Sequence, residues 1–200
     1  SIIEENLLHK ILLKINDKFK INNNCEVTIE ANPDDISIDK LKKWKRIGFN
    51  RISLGVQSFN DIILKKLNRI HTSKQSHNAI NKIKKIFENF SIDLMFGTPD
   101  SDVKSIRKDL DIIKEINPPH ISIYNMTVEK RTVFYKLLEN NKMILPSEDD
   151  VLNQYDIILK TMNSMGYINY EISNFSKKKY EALHNSNYWK SEKYFGFGPS

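Results

Sequence analysis

Glu30, Asn32, Gln57, Ser58, Asp93 and Asn125 each stand at or near the end of a short apolar run. Where strands alternate with helices, strand ends deliver side chains to a common binding face. Asp93 lies inside the run Ile92 to Phe96. If Ile92 and Leu94 face helices, alternation turns Asp93 the opposite way, toward the interior. An inward carboxylate is costly unless it is paired or ligand-bound. Two readings follow. One is an internal salt bridge between Arg69 and either Asp93 or Glu30. The other is a small ligand with hydroxyls and a charged end, in which carboxylates accept from hydroxyls and an arginine holds a carboxylate.

The elements that must position these groups are legible in the patterning. Glu26–Glu30 alternates as a strand and Pro33 follows. Ser37 can cap a helix carrying Leu41 and Trp44, which Gly48 ends. A strand over 51–55 breaks at Gly55, and Gln57-Ser58-Phe59-Asn60 leads into a helix from about 60 to 69. A longer helix is expected over about 73–89, a strand over 92–96, a helix over 102–116 and a strand over 120–124. A short helix follows around 131–141. Ser147 and Asp150 form a capping box for a helix over 148–165, and 167–175 reads as a strand. This order predicts an α/β fold with a parallel sheet, a partial TIM-like (β/α) barrel. An open doubly wound sheet is the alternative, weakened because no G-x-G-x-x-G opens a helix. A helical start and the ending Gly-Phe-Gly-Pro-Ser suggest a piece of a longer protein. The barrel part is expected over 1–145, with 146–200 a linking helix and the start of a further region.

Composition narrows the classes. The net charge of +6 comes from 26 Lys against 5 Arg. Arg is the better reader of phosphates and bases, and the Lys residues are scattered, so a nucleic-acid partner is not expected. No apolar stretch is long enough to span a membrane. Glu4 and Glu5 sit where a leader would be apolar, so a soluble, cytoplasmic protein is expected. One cysteine, Cys25, permits neither an internal disulfide nor a site built on several thiolates. His9, His71, His77 and His120 are expected to be surface or structural residues.

Four segments carry a family resemblance: TIEANPDD (28–35), ISLGVQSFND (52–61) with Arg69 twelve residues after Gln57, IDLMFGTPD (92–100), and YEISNFSKKKYEALHNSNYW with GFGPS. The first three resemble the post-cluster half of the radical S-adenosylmethionine barrel, in its coproporphyrinogen-oxidase-like branch. The last resembles the HemW-type heme chaperones of that branch. The resemblance covers roughly residues 25–200. It implies that Glu30, Gln57, Arg69 and Asp93 bind S-adenosylmethionine, with Thr127 a weaker match to a backbone contact. Glu30 and Asp93 suit hydroxyl or amine partners, and Arg69 suits a carboxylate.

His184-Asn185-Ser186-Asn187-Tyr188-Trp189 matches the H-N-x-x-Y-W signature of the chaperone branch. Imidazole is a common axial ligand of heme iron, and aromatics suit a porphyrin face. The resemblance thus implies heme contact by His184. The bland alternative has Tyr188 and Trp189 in the core and His184 hydrogen-bonded in a loop. The family's [4Fe–4S] cluster is held by a C-x3-C-x2-C run that this sequence lacks, followed by a glycine-rich segment that is also missing, so no metal ligands are assigned here. The implied function is heme delivery to acceptor hemoproteins, with peripheral membrane association arising only through those acceptors. S-adenosylmethionine, heme and, through cysteines elsewhere, a [4Fe–4S] cluster are the implied cofactors. In the superfamily the cluster reduces S-adenosylmethionine to yield a 5′-deoxyadenosyl radical. The alternatives are an oxygen-independent coproporphyrinogen III oxidase and a cluster-free barrel without catalysis.

Overall fold

The computed structural model describes residues 3–198. Its centre is a six-stranded sheet in the order β1-β2-β3-β4-β6-β5. β1 (Thr28–Ala31), β2 (Arg51–Gln57), β3 (Phe90–Phe96) and β4 (His120–Asn125) are parallel neighbours. β5 (Ile168–Asn169) and β6 (Asn174–Ser176) form an antiparallel hairpin, and β6 pairs antiparallel with β4. The sheet does not close. It is therefore a partial barrel with a mixed sheet, not the purely parallel one expected.

The helices are α1 (Glu5–Lys18), α2 (Ile38–Ile47), α3 (Asp61–Lys66), α4 (Ser73–Ile83), α5 (Val103–Ile116), α6 (Val133–Glu139), α7 (Glu148–Ser164) and α8 (Leu183–Trp189). Their ends follow local chemistry. Ser37 accepts from the Lys40 amide at 3.2 Å, and Gly48 closes α2 at φ 115°. Ser147 accepts from the Asp150 amide at 3.1 Å. Asp102 and Ser105 cap α5 reciprocally, which needs no apolar neighbour to be read.

Several boundaries differ from expectation for identifiable reasons. β2 does not stop at Gly55; it continues to Gln57 through a bulge between those residues. α4 ends at Ile83, where the chain tightens into i→i+3 bonds and Phe87 turns into the core. The Ile86 carbonyl left behind accepts from Lys45 Nζ at 2.5 Å. The strand-like run 167–175 is interrupted because Asn169 Nδ2 donates to the Glu171 and Asn174 carbonyls and bends the chain into a hairpin. α8, not expected from the sequence, has its Leu183 amide held by Glu26 Oε2 at 3.2 Å.

Strand alternation sorts the sheet into two faces. Ile29, Ala31, Ile52, Leu54, Val56, Ile92, Leu94, Ile121 and Phe175 pack into the apolar core with the helices. Trp44, Ile80, Ile113 and Ile158 are fully covered there. One buried acid interrupts this side. Asp109 on α5 accepts from Ser58 Oγ at 2.7 Å and the Phe59 amide at 2.9 Å, pinning the loop after β2. Burial pushes its carboxyl up to about 6, against the pull of those two donors.

The folded chain therefore binds that proton more tightly than the unfolded chain, whose carboxyl titrates near the ordinary value of 3.8. The contribution is fully present below that value and is lost as pH rises through about 6. Urea unfolding of wild type and Asp109→Asn at pH 4 and pH 7 measures it. The loss of stability between the two pH values should be smaller in the variant by roughly 2 kcal/mol.

Candidate functional site

The second face of the sheet is polar along β1 to β4 and β6. β1 contributes Thr28 and Glu30, β2 Arg51, Ser53 and Gln57, β3 Ser91 and Asp93, and β4 His120, Ser122 and Tyr124. β6 adds Asn174 and Ser176, which sit opposite Ser122 and His120. Thr28 Oγ1, Asn174 Oδ1, Ser176 Oγ and the Nε atoms of Arg51 and Arg69 are shielded from solvent without a hydrogen-bond partner among the described residues. Unmatched buried polar atoms are expensive, and a face carrying several is suited to a polar ligand.

Toward the C-terminal ends of the strands lies a cavity of about 480 Å³. Glu30, Gln57, Arg69 and Asp93 all line it, together with Asn32, Asp35, Ser53, Gly55, Ala31 and Ile3. Local backbone geometry makes this convergence. The bulge gives Gln57 a left-handed φ of 67°, a conformation that is strained for a side-chain-bearing residue. Arg69 is not on a helix, as expected, but in the turn after α3. Asn68 takes φ 54°, and the Arg69 amide then bonds the Leu64 carbonyl at 2.9 Å. Its guanidinium reaches back to Asn32 Oδ1 at 3.0 Å and the Gly55 carbonyl at 3.2 Å through Nη2. Burial pulls its pKa down, with Asp34 opposing. His71 is buried behind the site, where Nε2 donates to the Val56 carbonyl at 3.0 Å.

Gly55 is the point of closest approach. A Cβ there would lie 2.9 Å from Gln57 Nε2, 3.0 Å from Arg69 Nη2 and 3.5 Å from Asn32 Oδ1. Glycine lets three polar side chains meet over one strand.

Asp93 forms no ion pair with Arg69 among the described residues. Its carboxylate accepts from Ser53 Oγ at 2.8 and 3.1 Å and from Ser91 Oγ at 3.0 Å. Burial raises its pKa, against the hydroxyls of Ser53, Ser122 and Ser91 and the charge of Arg51. Ser91 then accepts from His120 Nδ1 at 2.8 Å, His120 Nε2 accepts from the Tyr170 hydroxyl at 2.7 Å, and Tyr170 accepts from the Ala182 amide at 3.2 Å. With Asp93 ionised, every proton in this chain points toward it, which assigns His120 the Nδ1–H tautomer. Burial holds the His120 pKa down to about 3, so it is neutral. Nothing in its flanking sequence marked it; its role comes from pairing across β3, β4 and the hairpin.

His184 lies elsewhere. It lines a second cavity of about 380 Å³ with Glu26, Thr28, Glu30, Arg51, Ser53, Ser122, Tyr124 and Asn185. Glu30 and Ser53 border both cavities. His184 is exposed, its ring edge-on to Tyr188 at 4.8 Å. Tyr188 and Trp189 are also exposed, not core, and Trp189 Nε1 donates to Glu171 Oε2 at 3.2 Å. Of the remaining strand-end residues, Ser58 holds Asp109, Asn125 packs against Gly97, and Thr127 is exposed past β4. Among the described residues, no group of three His, Cys, Asp or Glu could hold a metal ion, and Cys25 is exposed and free.

Comparison with known proteins agrees with this architecture. The radical SAM superfamily profile matches residues 3–113, and the chain belongs to that superfamily. Among curated relatives, it is 39% identical to the heme chaperone HemW of Bacillus subtilis (strain 168), over 98% of this chain and 52% of that protein. It is 33% identical to HemW of Escherichia coli (strain K12), over 99% of this chain and 52% of that protein. The chain thus spans about half the length of these relatives. Among solved structures, coproporphyrinogen III oxidase (HemN) from Escherichia coli superimposes with a TM-score of 0.77 at 23% identity, covering 94% of this chain and 43% of that one. That likeness concerns the fold. Among the described residues no helix is long and apolar enough to cross a membrane.

Gly55→Ala tests the convergence directly. The methyl group should displace Arg69 or Gln57 and cost about 1–3 kcal/mol in urea unfolding, the usual penalty of overpacking. Unchanged stability would mean that the three side chains are not held over Gly55.

Proposed function

We propose that this chain is the S-adenosylmethionine- and heme-binding part of a heme chaperone of the radical SAM superfamily. The observation that carries this reading is the meeting of Glu30, Gln57, Arg69 and Asp93 around one cavity, in a chain that aligns over nearly its whole length with about half of relatives named heme chaperone HemW. The donor set fits the cofactor. Two carboxylates accept from hydroxyls or an amine, and the orphaned Nε of Arg69 has a hydrogen free for a ligand carboxylate. Gln57 supplies both a donor and an acceptor. The His120 chain holds Asp93 oriented, so its acceptor direction is set before a ligand arrives.

S-adenosylmethionine supplies radical chemistry where an iron–sulfur cluster accompanies it. The described residues do not fit a cluster, and no radical step is derived from them. Heme, as cargo, would be met by His184 and the neighbouring exposed aromatics. Transfer to acceptor hemoproteins in the cytoplasm, or at a membrane through such acceptors, completes the proposed role, with no nucleic acid involved.

Two measurements test this reading on the full-length protein. Glu30→Gln should weaken S-adenosylmethionine binding in calorimetry by about 1–3 kcal/mol, the cost of a charged hydrogen bond; equal affinity would reject the assignment. His184→Ala should change the absorption spectrum of bound heme and lower its affinity; identical titrations would remove His184 as a heme contact. Turnover of coproporphyrinogen by the cluster-loaded protein would instead favour an oxidase.

A further inference from the structure

The second cavity holds an unused charge. Arg51 opens β2 and is only 5% exposed. Its Nε has no hydrogen-bond partner, and no carboxylate among the described residues forms an ion pair with it. Its charge is felt at a distance by Asp93, His120 and Tyr170, but none of these bonds to it. A shielded N–H left without a partner is costly in a folded chain. Directly across the parallel ladder stands Thr28, whose Oγ1 is likewise shielded and unpartnered. Both residues line the same cavity of about 380 Å³.

We propose that Arg51 and Thr28 form a carboxylate-binding site in this inner cavity, and that it anchors an acidic side chain of the cargo. The inference rests on the heme reading above, under which the group is a propionate. An N–H and an O–H on laterally paired residues of neighbouring strands match the two oxygens of one carboxylate. Glu26 and Glu30 also line the cavity, and Glu26 is turned to the Leu183 amide. Their negative charge opposes a dianionic phosphate more strongly than a singly charged carboxylate, so Arg51 and Thr28 must supply the attraction. The cavity accommodates the acid-bearing edge of a large ring, and His184 lines the same space from α8. Arg51 and His184 would then hold two different parts of one ligand, the acid and the metal.

Absorbance titration of the full-length protein with heme and with heme dimethyl ester, whose acids are masked, tests the site. Wild type should prefer the free acid by about tenfold or more, the equivalent of one charged hydrogen bond. Arg51→Met should abolish that preference, and Thr28→Val should reduce it. His184→Ala should alter the spectrum but leave the acid-to-ester ratio in place. Equal binding of acid and ester by wild type overturns the anchor while the heme reading stands. So does a preference that survives in Arg51→Met. Absence of binding by either compound overturns both. If Arg51→Met does not fold, the wild-type ratio and Thr28→Val still decide.

Discussion

A strand sends successive side chains to opposite faces, and a parallel sheet keeps neighbouring strands in step. The structure depends on that constraint. Ala31, Leu54, Ile92 and Ile121 fall in register on one face, and Glu30, Ser53, Ser91 and His120 on the other. The first set drives folding by excluding water under the helices. The second set cannot contribute in that way and must find partners of its own. A one-residue slip of any strand would exchange the two sets, so the apolar core enforces the position of every polar group on the opposite face.

Those polar groups are satisfied unevenly. Asp93 is held by Ser53, Ser91 and the chain that runs through His120 and Tyr170 to the backbone before α8. This network ties the β4–β6 side of the sheet to the first cavity. By contrast, Arg51, Arg69, Thr28, Asn174 and Ser176 keep atoms without partners among the described residues. Asp93 and Ser53, bonded to each other, line the first cavity, and these unpartnered atoms border the two cavities or lie beside them. Gly55 and the bulge at Gln57 are local departures from regular strand geometry, and both sit where polar side chains crowd together. Such departures persist only where surrounding structure over-determines them.

Much of this was legible in the chain. Apolar periodicity located β1 to β4 and most helices, because burial of one face writes itself into spacing. Ser37, Ser147 and Gly48 marked helix ends through bonds made within a few residues. Asp93 was recognised as inward-facing from its neighbours alone. Family-like motifs pointed to Glu30, Gln57 and Arg69, and the structure brings these three with Asp93 around one cavity. The internal salt bridge weighed as the alternative is absent among the described residues, where Arg69 turns to Asn32 and Gly55 instead. The split of 167–175 into a hairpin was not legible, because side-chain bonds from Asn169 override a strand-like pattern.

By itself the sequence determined the α/β alternation, the helix caps and the identity of the polar strand-end residues, all of which depend on contacts between near neighbours. Only the tertiary structure decided that His120 completes the support of Asp93, that Asp109 pins the loop after β2, and that Arg51 stands unpaired beside Thr28. Each of these relations joins residues more than twenty positions apart. Pairing between strands and packing of helices against them, not local propensity, sets which such residues meet.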